Sequence, residues 1–84
     1  MRFDQERRAK WERGRRDRGL DPDAPFEGDP VLEFIEEMLD AGNYLDEIAR
    51  SGDVPHEVTF RAMGMVKDLF LMAETVLRMR REAA

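Results

Sequence analysis

The chain has 84 residues, enough for one small domain, and contains no cysteine, which excludes disulfide bonds and thiolate metal sites. Its formal charge is -5. No apolar run reaches the roughly 18 residues that would span a bilayer, and Met1–Asp4 lacks the apolar core of a signal peptide. We therefore expect a soluble cytoplasmic protein with a small core that gains stability by self-association.

The charge is divided unevenly along the chain. Residues 1–19 form a basic N-terminal arm with eight basic and four acidic residues, a net charge of +4. Residues 20–57 hold twelve acids and one base, a net charge of -11. The arm is interpreted as a short helix or tail that lays Phe3 and Trp11 on the body and its arginines near the acids. Nucleic-acid binding is the other interpretation, although the acidic body would repel the same phosphates.

Residues 20–29 are predicted to form an acidic linker that contains proline. Pro22 and Pro25 forbid a continuous helix and hold the chain extended. Phe26 is expected to pack beside the first turn of the helix that follows. The linker therefore separates the arm from residues 30–84.

The next helix is predicted to run from Pro30 to about Arg50. Asp29 offers a side-chain oxygen as N-cap, and Pro30 stands where a missing N–H costs nothing. At about 100° per residue, one side of this helix is apolar and is expected to be buried. Its residues are Phe34, Ile35, Met38, Ala41, Gly42, Leu45, Ile48 and Ala49. Almost opposite lies a row of carboxylates that we call the acidic stripe: Glu33, Glu36, Glu37, Asp40 and Glu47.

A second long helix is predicted from Pro55 to about Arg81. Gly52 suits a left-handed C-cap of the preceding helix, and Asp53 is expected to cap this one. Its apolar seam is predicted to consist of Val58, Ala62, Met65, Val66, Leu69, Met72, Ala73 and Val76, widened by Met63, Phe70 and Leu77.

These patterns predict an all-α protein. The short connection favours an antiparallel helical hairpin over residues 30–84, preceded by the arm. The apolar seam is wider than one partner helix can cover, and Phe60 and Leu71 also look exposed. We therefore expect a homodimer in which two hairpins form a four-helix bundle.

Two short motifs occupy the acidic stripe. Glu33-Phe34-Ile35-Glu36 has the form ExxE, and Glu37-Met38-Leu39-Asp40 has the form ExxD. A spacing of three places two carboxylates on one face of a helix. Carboxylate oxygens are the ligands that Mg²⁺ prefers when it also holds nucleotide phosphates.

These motifs resemble those of the MazG-like all-α nucleotide pyrophosphohydrolases. Residues 40–45 also look similar to the stretch that follows ExxD in short phage-encoded proteins of that kind. The resemblance implies a dimeric bundle with Mg²⁺ held by Glu33, Glu36, Glu37 and Asp40. It also implies a metal-activated water that splits a nucleoside triphosphate into monophosphate and pyrophosphate, with Lys67 or an arm arginine neutralising phosphate charge. In the family a spacer separates the two motifs, whereas here they are adjacent.

Two functions follow from the sequence. The first is a protein–protein interaction module without a cofactor, whose acidic stripe (Glu33, Glu36, Glu37, Asp40 and Glu47) engages a basic protein partner. The alternative is a MazG-like, Mg²⁺-dependent nucleoside triphosphate pyrophosphohydrolase. The sequence assigns no catalytic residue, and the lone His56 is expected to be a solvated turn residue rather than a metal ligand.

Overall fold

The chain forms three α-helices and no β-strand. The computed structural model describes residues 1–84. Helix α1 spans Arg2–Asp17, α2 spans Pro30–Ser51 and α3 spans His56–Ala83. The all-α class is confirmed, and the two long helices lie within two residues of their predicted limits. None of the three helices combines the length and the apolar character needed to cross a membrane.

Helix α1 is held by the linker. The Arg15 side chain is buried, and it donates from Nε and Nη2 to the Asp21 carbonyl (3.1 and 2.9 Å) and from Nη2 to the Ala24 carbonyl (3.1 Å). Its guanidinium carbon lies 5.3 Å from the centre of the Trp11 ring. The Trp11 ring also packs on Phe26, with ring centres 6.0 Å apart. We call residues 2–26 the N-terminal clamp.

The clamp gives Phe26 a partner that the sequence did not predict. The Phe26 ring packs against Trp11. Trp11 donates its Nε1–H to the Pro22 carbonyl at 3.3 Å, and Arg8 Nη2 lies 2.6 Å from Asp23 Oδ1. These contacts draw the linker back along α1, so Phe26 meets the larger aromatic surface of Trp11.

The start of α2 follows from its sequence. Asp29 is extended and its Oδ1 accepts the Val31 N–H at 2.9 Å, while Pro30 is the first helical residue. One backbone N–H that the helix leaves without a partner is thereby satisfied. The predicted N-cap is confirmed.

The connection between α2 and α3 is partly as predicted. Gly52 closes α2 with φ of +74°, a left-handed conformation that glycine adopts without strain. The prediction that Asp53 caps α3 is wrong, because Pro55 occupies the cap position and makes no side-chain cap bond. Asp53 lies two residues before this cap position, and its own N–H bonds the Ser51 hydroxyl at 3.4 Å.

Helices α2 and α3 pack against each other. The end of α3 meets the start of α2 through Arg80 and Asp29, and a Cβ placed on Gly42 would stand 3.8 Å from Met63 Sδ. The buried and half-buried residues repeat at alternating spacings of four and three, as in other packed helices. On α2 they are Val31, Ile35, Met38, Gly42 and Leu45, with Ala41 at the margin. On α3 they are Thr59, Met63, Val66, Phe70, Ala73 and Leu77, with Ala62 at the margin.

The predicted seam of α3 is confirmed in part, since six of its residues are buried or half-buried: Ala62, Met63, Val66, Phe70, Ala73 and Leu77. Val58, Met65, Leu69, Met72 and Val76 are exposed, while their C-terminal neighbours pack on α2. On α2, three residues of the predicted apolar side are also exposed: Phe34, Ile48 and Ala49. The observed seam contains Phe70, and covering this large ring removes more apolar area from water than covering Leu69 or Met72.

The interior of the chain is thin. Ala73 is the only buried apolar residue, and no side chain is less than 2% exposed. Phe60 and Leu71 are exposed, as predicted. Two helices alone therefore leave much of their apolar surface in water.

Candidate functional site

The acidic stripe lies on the side of α2 that faces away from α3. All five of its carboxylates are exposed. At 1.5 Å per residue, the distance along the helix from Glu33 to Glu47 is about 21 Å. The helical period sets the stripe almost opposite the residues that pack on α3, with four acids close together from Glu33 to Asp40 and Glu47 two turns further on.

Most of the stripe has no charged partner within the chain. Arg50 Nη1 lies 2.6 Å from Glu47 Oε1, and this is the stripe's one ion pair. The four unpaired carboxylates are Glu33, Glu36, Glu37 and Asp40. Neighbouring like charges at spacings of three and four repel by a few tenths of a kcal/mol per pair. A cation or a basic surface would remove this repulsion.

The arginines of the arm do not supply that charge. Arg2 pairs with Glu6 at 2.9 Å, and Arg7 pairs with Asp4 at 3.0 Å. Arg8 binds both Glu12 and Asp23, and Arg16 also approaches Glu12. The expectation that the arm lays its arginines near the stripe is therefore wrong, because acids of the arm and linker are closer in sequence and pair with them first.

The stripe carboxylates do not gather into one cluster within the chain. Carboxylate oxygens fit the chemistry of Mg²⁺, which takes several oxygen ligands at once. However, nowhere in the chain do three or more His, Asp or Glu side chains come together as a group that could hold a metal. Glu33, Glu36, Glu37 and Asp40 project from successive turns of one exposed helix face and do not converge.

Two further residues considered from the sequence stand apart from the stripe, on α3. His56 is exposed in the first turn, with its ring centre 6.4 Å from that of Phe60. Lys67 is exposed and makes no ion pair. The structure adds no second ionic group beside either side chain.

No known protein family, curated protein or solved structure matches this chain. The resemblance of the ExxE and ExxD motifs to MazG-like enzymes therefore stays an expectation drawn from the sequence. The function must be inferred from the surfaces of the chain itself.

A second surface, which sequence patterns assigned to the interior, is open to solvent. A groove of about 510 Å³ lies between α2 and α3, lined by Pro30 and Phe34 on one side and by Leu69, Met72 and Val76 on the other. Ile48 lies within about 40° of Phe34 around α2. We call this surface the open apolar face, and its exposed residues are Phe34, Ile48, Val58, Met65, Leu69, Met72, Val76 and Met79.

The clamp is the feature that the sequence did not reveal. Arg15 is one of eight basic residues in the arm, and nothing in its spacing distinguishes it from Arg13 or Arg16. The one available signal was the pair of aromatic residues, Trp11 and Phe26, on either side of two prolines. The Trp11 Nε1–H and one face of its ring are used inside the chain, which makes Trp11 a poorer stacking platform for a base.

Proposed function

We propose that this protein is a small acidic helical interaction module that engages a basic surface on a protein partner through the acidic stripe. One observation carries the proposal: four adjacent carboxylates on α2 are exposed and unpaired, although the chain contains eight basic residues in its arm. A chain that used these acids only for its own stability would pair them. Here four of the arm's seven arginines pair with acids of the arm or linker, and none pairs with the stripe.

The expected partner presents lysines or arginines along about 20 Å, the length of the stripe. Opposite charge would steer the two surfaces together and raise the association rate. Exposed pairs are screened by salt over about 8 Å at physiological ionic strength, so binding should weaken as salt rises. We propose a cytoplasmic setting, for which a chain without cysteine is suited.

We further propose that the working unit is a homodimer, with α2 and α3 as an antiparallel hairpin and two hairpins forming a four-helix bundle. Support comes from the thin interior of the single chain and from its open apolar face. Small helical chains commonly gain their missing core by association.

A charge reversal tests the role of the stripe. The probe is a 20-residue helical peptide with lysine at every third or fourth position, labelled for fluorescence anisotropy. We expect Glu36→Lys with Glu37→Lys to weaken binding at least tenfold while helicity is unchanged. The matched control is Asp46→Lys with Glu74→Lys, which changes the net charge equally at exposed sites outside the stripe. Equal weakening by both pairs would overturn the proposal, because net charge rather than the stripe would then govern binding.

The alternative proposal is the MazG-like pyrophosphohydrolase. The observation that favours it is the same row of unpaired carboxylates, Glu33, Glu36, Glu37 and Asp40. Because these do not gather into one cluster within the chain, the alternative needs nucleotide phosphates and waters to complete the Mg²⁺ coordination. For the interaction module as well, the resemblance of residues 40–45 to short phage-encoded proteins favours a phage-encoded origin.

A further inference from the structure

The chain exposes more surface than a folded protein of its size should. A compact monomer of 9.8 kDa is expected to expose about 5,200 Å². This chain exposes 7228 Å², an excess of roughly 2,000 Å². Even half of that excess is more than the about 800 Å² that each partner buries in a standard protein interface.

Eight of the 18 exposed large hydrophobic residues lie on the open apolar face. Met65 and Met72 are 62% and 65% exposed, and with the other α3 residues of the open apolar face they follow the same four-three spacing as the packed seam. The groove beside Phe34 shows that α2 and α3 present these residues on the same side. Helix α3 therefore carries two apolar seams. One packs on α2, and the other has no partner within the chain.

We infer that the open apolar face is covered by a second copy of this chain, with α2 of each chain lying over α3 of the other. A second copy fits because its broader α3 ridge would cover Phe34 and Ile48 of α2, and a twofold axis makes this match reciprocal. The ordering entropy of the chain also favours further burial, since most of the seam between α2 and α3 is only half-buried.

The acidic stripe decides between the two possible twofold arrangements. If α2 lay over α2 of the partner subunit, the two stripes would flank the same edge of the bundle and repel each other. If α2 lies over α3 of the partner subunit, the stripes occupy opposite edges, about one bundle width apart, beyond the Debye length of about 8 Å. Charge therefore selects a twofold axis parallel to the helices.

This arrangement fixes which residues meet. An axis parallel to the helices leaves every residue at its own height, so α2 meets the partner subunit's α3 in the register found within one chain. Within the chain, Phe34 lies level with Met72 and Val76, and Gly42 lies level with Met63. Ile48 should then lie beside the partner subunit's Val58. This last step rests on the proposed function: with one acidic stripe at each edge of the bundle, each dimer would hold two separate sites for basic partners.

Cysteine cross-linking tests the arrangement directly, because the native chain has no cysteine. Differently tagged Ile48→Cys and Val58→Cys chains are mixed and oxidised, so that a bond between the tags joins two chains. We expect a heterodimeric disulfide band in this mixture and none from Ala41→Cys alone. Efficient self-cross-linking of Ala41→Cys would overturn the arrangement, since it requires α2 to lie over the partner's α2.

Sedimentation supplies the second measurement. The native chain should sediment at twice its mass of 9.8 kDa, and Met72→Glu with Val76→Glu should return it to the single mass. The control Phe60→Glu with Leu71→Glu places the same two charges on exposed apolar residues outside the face and should leave the dimer intact. A native chain that sediments at 9.8 kDa at every concentration would overturn the inference. Loss of lysine-peptide binding on reversal of Glu36 and Glu37 leaves these results unchanged, so the two proposals fail separately.

Discussion

Arg80 Nη2 lies 2.9 Å from Asp29 Oδ2, and Arg80 Nη1 lies 3.2 Å from Asp29 Oδ1. The same carboxylate accepts the Val31 N–H at the start of α2. One side chain therefore caps α2 and binds the last turn of α3, 51 residues away. Fork-shaped pairs of this kind fix orientation as well as distance.

This pair predicts a pH dependence. The hydrogen bonds from Arg80 hold the pKa of Asp29 below its ordinary value of 3.8. A lowered pKa in the folded chain means that the contribution to stability is fully present above the ordinary value and is lost as the pH falls through the folded value. We expect Arg80→Ala to raise the Asp29 pKa towards 3.8, measured by NMR titration of its side chain.

The variant Asp29→Asn separates the two roles of this residue. Asparagine caps helices about as well as aspartate but carries no charge. The midpoint temperature of its unfolding should fall less steeply with decreasing pH than that of the native chain. The helical content of the folded variant should be unchanged. An unchanged acid transition in Asp29→Asn would show that Asp29 does not contribute.

The clamp predicts that Arg15→Ala loosens the N-terminal part of the chain. Three hydrogen bonds from a buried guanidinium to carbonyls would be lost, at a cost on the order of 2 kcal/mol. Trp11 should become more exposed, and its fluorescence should shift to the red. The control Arg13→Ala removes an exposed arginine without an ion pair and should leave the emission in place. Equal shifts in both variants would contradict the clamp.

Two glycines predict opposite effects of the same substitution. Gly52 has φ of +74°, so Gly52→Ala should destabilise the chain by about 1 kcal/mol. Gly64 lies inside α3, and an added Cβ there meets nothing within 4 Å. Gly64→Ala should therefore stabilise the chain by about 0.5–1 kcal/mol. Urea unfolding at one fixed chain concentration measures both, and effects of the same sign would contradict the assignment.

The interaction module and the enzyme differ in one activity. With Mg²⁺ and a panel of ribo- and deoxyribonucleoside triphosphates, we expect no pyrophosphate release from a module that works through surface charge alone. Release that both Glu37→Gln and Asp40→Asn abolish would establish the enzyme instead. The control Asp46→Asn removes one exposed carboxylate of the same helix outside the stripe.

Local chemistry made the helix limits predictable. Asp29, Pro30 and Gly52 act on neighbours within a few residues, so their effects are legible in the sequence. The seam of α3 was not predictable in the same way, because two adjacent rows, one beginning at Val58 and one at Thr59, share the same spacing. Only the packing of Phe70 against α2 decides between them.

The candidate site was also predictable from the sequence only in part. The direction of the acidic stripe follows from the helical period alone. The absence of ion pairs from most of the stripe does not follow from the helical period. Whether an arginine of the arm reaches Glu36 or Glu37 depends on where the linker turns. Arg15 determines that turn by binding the carbonyls of Asp21 and Ala24.

The N-terminal clamp also has a consequence for biosynthesis. Its contacts join residues no more than 15 positions apart, such as Arg8 and Asp23. Contacts this local form in about microseconds, whereas a ribosome adds only about 5–20 residues per second. The arm can therefore pair its arginines with its own acids several seconds before the rest of the chain emerges. The nascent basic segment is thus protected from collapsing onto the acidic segment that follows it.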